Sequence, residues 1–165
     1  MLLFVAASVV MLMSCSNDDD GGGNGSAASG TVTAKVDGST FTSMEMASTA
    51  NLVASVGTLT IQGSDADGKG VVIVINGYEG PASYDIGGNN LIAVTASYIE
   101  ANVSNPTNSQ TWQAPFDSTV AGTVSISEES DDTVKGTFSF TAKNSNDDST
   151  KSLTEGSFNL TKQTN

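Results

Sequence analysis

Trp112 is the only tryptophan of the chain, and it lies in a run of amides. Between Glu100 and Val120 stand Asn102, Asn105, Asn108, Gln110 and Gln113, with Asp117 close behind. A flat indole face ringed by directional hydrogen-bonding groups is what a sugar site needs. The apolar side of a pyranose packs on the ring, and its hydroxyls meet amides and a carboxylate. Trp112, Asn105, Asn108 and Gln110 are therefore the candidate ligand-binding residues. The same stretch also has a plainer reading. Asn105 to Asn108 makes a good turn, so Glu100–Val103 and Thr111–Ala114 would pair as a hairpin with Trp112 in the core. The hairpin asks for fewer special circumstances and is preferred.

Metal and acid–base chemistry have thinner support. Asp65, Asp67 and Gly68 have the form of the start of a calcium loop, and calcium requires six to eight oxygen ligands. Lys69 and Asn76 would then fall where a further acidic ligand and a glutamate belong, so a hairpin turn explains the triplet better. Paired carboxylates could hydrolyse glycosides. Yet Asp117, Glu128, Glu129, Asp131, Asp132, Asp147 and Asp148 fall in predicted turns, where acids are solvated. Glu45, Glu100 and Glu155 lie in or near strands, with no two assignable to one face. A carboxylate-based hydrolase is a distant third among the functions considered, and no enzyme is expected.

The residues that are absent sort the remaining classes. The chain has no histidine and no arginine, and Cys15 is its single cysteine. Serine–histidine and cysteine–histidine nucleophiles are excluded. Ordinary zinc, copper and haem sites lose their ligands, and bidentate phosphate clamps lose their guanidinium. No cofactor is expected. Eighteen acidic residues against six lysines give a formal charge of −12. Such a surface repels phosphate backbones, so no nucleic-acid partner is expected.

The elements that must position these side chains are strands. From Thr31 onward the apolar residues alternate with Thr and Ser, as in a half-buried antiparallel strand. Val32, Ala34 and Val36 share one parity. So do Leu59 and Ile61; Ile92, Val94, Ala96 and Tyr98; Val124 and Ile126; Phe138, Phe140 and Ala142; and Phe158 and Leu160. Val71 to Ile75 is continuous and β-branched, which predicts a central strand covered on both faces or crossing between sheets. Asp37-Gly38, Asp65–Gly68, Asn76-Gly77, Gly87–Asn90, Glu129–Asp132 and Asn144–Thr150 supply the turns. Only Met44–Ala54 admits a short helix. Residues 31–165 are expected to form a single all-β domain of nine or ten strands. The expected form is an antiparallel meander closing into a β-sandwich or a lipocalin-like barrel.

The N-terminal thirty residues belong to another regime. Leu2 to Met13 is apolar except for Ser8, too short to span a bilayer and of the length of a signal-peptide core. Leu12, Met13, Ser14 and Cys15 resemble the bacterial lipobox, although no lysine or arginine precedes the apolar run. The resemblance implies that residues 1–14 are a signal peptide and that Cys15 is lipidated. Residues 15–30 are then a flexible acidic and glycine-rich linker. About 15 residues of this composition have an r.m.s. span of roughly 20–25 Å. The membrane partner would be held by acyl chains on Cys15 alone, each buried methylene contributing about 0.8 kcal/mol. With its thiol so used, Cys15 leaves the domain without a disulfide.

Asp18 to Asp20 resemble the surface-export tract of Bacteroidota lipoproteins. That tetrad and tract, with Tyr84-Asp85-Ile86, Lys135–Ala142 and Thr154–Phe158, resemble a family of small uncharacterised all-β lipoproteins of that phylum. The resemblance implies a fold and a location, and no activity. Asp117-Ser118-Thr119, Asp132-Thr133-Val134 and Asp148-Ser149-Thr150 also resemble O-glycosylation sites of those bacteria, at a frequency that chance alone supplies. The expectation is an outer-membrane lipoprotein on the cell surface, or on the periplasmic face of that membrane. It would be a binding or adhesion module for a glycan or a protein, or else a structural envelope component without a discrete ligand. Cys15→Ala should abolish incorporation of a fatty-acid probe; labelling that persists in the variant would refute lipidation at this thiol.

Overall fold

The computed structural model describes residues 26–88 and 93–165. The expected signal segment, Cys15, most of the linker and Ile92 lie outside the described residues. The strands are β1 (Thr31–Val36), β2 (Ser39–Thr42), β3 (Ser48–Val53), β4 (Thr58–Ser64), β5 (Lys69–Asn76) and β6 (Ser83–Gly87). They continue as β7 (Val94–Glu100), β8 (Gln110–Ala114), β9 (Val120–Glu129), β10 (Thr133–Lys143) and β11 (Thr150–Thr164). Eleven strands are described, one more than the upper expectation. Glu45–Ala47, where a short helix was admissible, is a single 3-10 turn.

Alternation sets the inward face throughout. Val32, Ala34, Val36, Leu59, Ile61, Val94, Ala96, Tyr98, Val124, Ile126, Phe138, Phe140, Ala142, Phe158 and Leu160 are all buried, as their parity requires. Asp37 and Gly38 carry φ of 48° and 83°, the pair of positive values that a two-residue hairpin turn needs between β1 and β2. Val71, Ile73 and Ile75 are buried, but Val72 and Val74 on the other side of β5 are half-buried. β5 is thus an internal strand with one core face; coverage of both faces does not occur.

The sheet order is β2-β1-β11-β3-β4-β5-β7-β8-β10-β9-β6, with a further pairing of β11 to β10. Neighbours are antiparallel except β11 and β3, which run parallel over three residue pairs. The order resolves into two layers, β2-β1-β11-β10-β9-β6 and β3-β4-β5-β7-β8. They join where the end of β11 reaches β3 and where Lys143 of β10 meets Gln113 of β8. The ring β11-β3-β4-β5-β7-β8-β10 therefore closes around the core. It is not a simple meander, because β6 leaves β5 to flank β9, and β7 takes its place.

β11 can serve both layers because it changes parity once. Leu153 points inward, then Glu155 adopts φ 52°, and Gly156, Phe158 and Leu160 point inward after it. The extra residue appears as a register shift against both β1 and β10. A bulge of this kind bends the strand and increases its twist. The domain also begins earlier than Thr31. Ala27 is buried, and the Gly30 amide donates to the Asn159 carbonyl at 2.7 Å, so the linker's end is part of the packed unit.

Between β10 and β11 the core is filled by reciprocal large and small residues. Gly136 faces Phe158, and Phe138 faces Gly156. The Phe138 and Phe158 rings stack with centroids 6.4 Å apart. A methyl group on Gly136 would stand 2.5 Å from Phe158 Cζ and would overlap the Ser125 carbonyl oxygen. Overpacking a core costs about 1–3 kcal/mol. Gly136→Ala should therefore lower the thermal midpoint measurably, while Thr137→Ala, on the exposed face, should stay within about 0.5 kcal/mol of wild type. Equal midpoints for the two variants would refute the packing.

Candidate functional site

Trp112 sits opposite Tyr98 in the β7–β8 ladder and points inward. Its ring lies 5.8 Å from that of Tyr98, its Nε1 donates to Ser149 Oγ at 2.9 Å, and Lys151 Nζ stands 5.2 Å from its centroid. Only 5 % of its surface is exposed. Gln110 Oε1 accepts from the fully buried Asn144 at 2.7 Å. The β10–β11 connection thus roofs the indole. Asn105 and Asn108 lie apart, in the exposed 3-10 turn Pro106–Asn108 and its N-cap. Asn105 Oδ1 accepts from Thr107 at 2.6 Å. The four candidates do not converge: Trp112 and Gln110 pack and fasten, while Asn105 and Asn108 build a turn. Trp112 lies in the core of a strand pair, as the preferred hairpin reading has it, but the ladder runs over Val94–Glu100 instead of Glu100–Val103.

Asp65 also acts within its own turn. Its Oδ1 accepts the amides of Asp67 and Lys69 at 2.9 and 2.8 Å, closing the β4–β5 hairpin. Among the described residues no three acidic, histidine or cysteine side chains gather as a metal site would require.

Two polar clusters fasten the ends of the layers. Glu129 receives Lys162 Nζ at 2.6 Å and the Tyr78 hydroxyl at 2.8 Å, joining β9, β11 and the β5–β6 connection. Burial pushes the Glu129 carboxyl upward, but the bonds from Lys162 and Tyr78 outweigh it and hold the group below its ordinary range. Burial first, and Glu129 second, push the Tyr78 phenol up. At the other end Lys151 lies 3.3 Å from Asp37 and 3.7 Å from Glu100, and Glu100 accepts the Tyr98 hydroxyl at 3.1 Å. Burial foremost, then Glu100, raises the Tyr98 phenol. Asp37 is lowered chiefly by the Ser152 amide. These groups are mutually satisfied, and the arrangement serves cohesion.

Open concave surface lies on the outward faces of the strands. The larger groove, about 600 Å³, crosses β2, β1, β11, β10 and β9. Hydroxyls dominate it: Thr33, Thr42, Ser125, Thr137, Ser139 and Ser157, with Lys35 and Lys135 among them. Thr33 and Ser157 hydroxyls are 2.9 Å apart across β1 and β11. Lys135 pairs with Glu128 at 2.7 Å on one side. A second concavity, about 580 Å³, lies over β7 and β8 beside Phe116. Alternation reveals each outward hydroxyl in the sequence, but the adjacency of β1 to β11, which assembles them, comes from topology.

The geometry defines a closed all-β domain with polar concave surfaces on its outer faces and its ion pairs spent on cohesion. Residues 28–160 match the family model of a domain of unknown function, DUF6252, and the chain belongs to that family. No curated protein and no solved structure matches the chain. Since Trp112 is the sole tryptophan, its emission should be blue-shifted and protected from aqueous quenchers. Trp112→Ala should cost about 3–5 kcal/mol of stability; a red-shifted, quenchable emission would overturn its placement.

Proposed function

We propose that the chain is a lipid-anchored envelope protein whose β domain is a binding module, displayed on the outer surface of the outer membrane. The tetrad ending at Cys15, the apolar run before it and the acidic tract after it support the location. The hydroxyl-lined groove over β1, β11 and β10 carries the binding reading. Attachment through Cys15 would put such a face within reach of a glycan or of an envelope protein. Hydroxyls on a rigid sheet offer donors and acceptors at fixed spacing with little ordering cost. The net charge of −12 favours neutral partners over anionic ones.

A second reading, a structural envelope component without a discrete ligand, is favoured by the burial of Trp112. The two part at Thr137, which is exposed in the middle of the groove. Thr137→Tyr keeps strand propensity and fills the groove. Immobilised full chain should retain at least one of dextran, mannan, arabinoxylan and mucin, and the variant should lose it with an unchanged thermal midpoint. Retention of none by the wild type would leave the structural reading.

A further inference from the structure

Phe116 is the only phenylalanine among the described residues that is exposed, at 44 %; Phe41, Phe138, Phe140 and Phe158 are all in the core. It is also not among the partly buried apolar residues that pack against that core. Leaving an aromatic ring in water forgoes burial free energy, so its position needs a reason. The ring stands at the margin of the concavity over β7 and β8. Thr95, Ser97 and Gln113 point outward into it from the strands, and Asp117 and Ser118 follow the ring. Ser97 and Gln113 are direct cross-strand partners. Beyond the concavity, half-buried Val72 and Val74 on β5 pair with Ser97 and Thr95 and continue the same face of the sheet.

The loop that carries the ring is braced. Asp117 Oδ1 accepts both the amide and the hydroxyl of Thr119, at 2.8 and 2.6 Å, and these bonds hold its carboxyl below the usual range. Gly88 donates to the Thr119 carbonyl at 2.9 Å. At Gly87 a side chain would stand 2.8 Å from Pro115 Cβ, so the end of β6 lies flush against the loop. The ring is therefore presented by a fixed segment, with its conformational cost already met in the free protein.

From this arrangement we propose that the concavity is a subsite for a neutral pyranose, with Phe116 stacking on the sugar's apolar face. Gln113, Thr95 and Ser97 hydrogen-bond its hydroxyls from the strand side, and the carboxylate of Asp117 accepts from the loop side. The sugar is uncharged, because a carboxylate flanks the ring and the chain's net charge is −12. The combination of ring, amide, carboxylate and hydroxyls is the one sought around Trp112; it forms four residues further on, on the solvent side of β8. The site lies on the layer opposite the larger groove, so it stands or falls independently of that groove.

The test is titration of the full chain, in detergent micelles, with cellohexaose, laminarihexaose and mannohexaose, followed by calorimetry and by the ring-proton resonances of Phe116. At least one hexaose should bind and shift those resonances. Phe116→Ala should weaken it by about tenfold or more, and Phe116→Tyr should restore it to within about threefold. Met46→Ala, at an exposed residue that lines neither concavity, should leave it unchanged. The proposal is overturned if none of the three binds at about 10 mM. It is also overturned if Phe116→Ala binds as wild type, or if that variant changes only the sedimentation of the chain, which would make the ring a self-association contact.

Discussion

The fold turns on a size exchange between two strands. Across β10 and β11, glycine lies under phenylalanine twice in succession and in opposite senses, Gly136 under Phe158 and Gly156 under Phe138. The exchange lets two large rings stack in the narrow space between the layers. It also lets β10 and β11 lie close while both coil. Gly122 extends the arrangement to β9, where a side chain would run 2.5 Å from Phe140 Cβ. The bulge at Glu155 lies beside this cluster and turns β11 toward β3. Closure of the ring therefore rests on packing together with strand hydrogen bonds and the polar clusters at its ends, in a domain with no internal disulfide.

The core was legible in the sequence because parity reports burial wherever one face is wet. The inward residues of β1, β4, β7, β9 and β10 follow from alternation without reference to their neighbours. β11 was legible only from Phe158 onward, since the bulge reverses parity after Leu153 and Glu155 gives no sign of a left-handed backbone. Topology was not legible. Nothing local to Ser83–Gly87 indicates that it flanks β9, and nothing in Lys162–Thr164 indicates a parallel partner. For the same reason the candidate site was half visible. The density of amides around Trp112 drew attention to β8 and its flanks, but the residue on the wet side of β8 is set by strand parity, and Trp112 and Gln113 differ by one position. Phe116 lies beyond the strand, where parity no longer applies.

Charge is apportioned in a way that matches this division between core and surface. Lys135, Lys143, Lys151 and Lys162 each pair with a carboxylate. Pairs on the surface contribute at most about 1 kcal/mol each. The Lys162–Glu129 contact is the most sheltered, with the lysine side chain 8 % exposed. With most lysines so occupied, the remaining carboxylates define the surface potential. That potential disfavours polyanions at both outward concavities.

β11 comes after every other strand in the chain, yet it borders β1, β10 and β3. Thr33 and Ser157, whose hydroxyls meet, are 124 residues apart in sequence. Long-range pairing of this kind makes folding slow, because chain entropy is spent before contacts repay it. A nascent chain short of residue 150 has β1, β3 and β10 all lacking their shared neighbour, and it has no smaller closed unit to settle into. Order of synthesis thus bears on order of folding: the ring of strands closes only once β11 is available to pair with β1, β10 and β3.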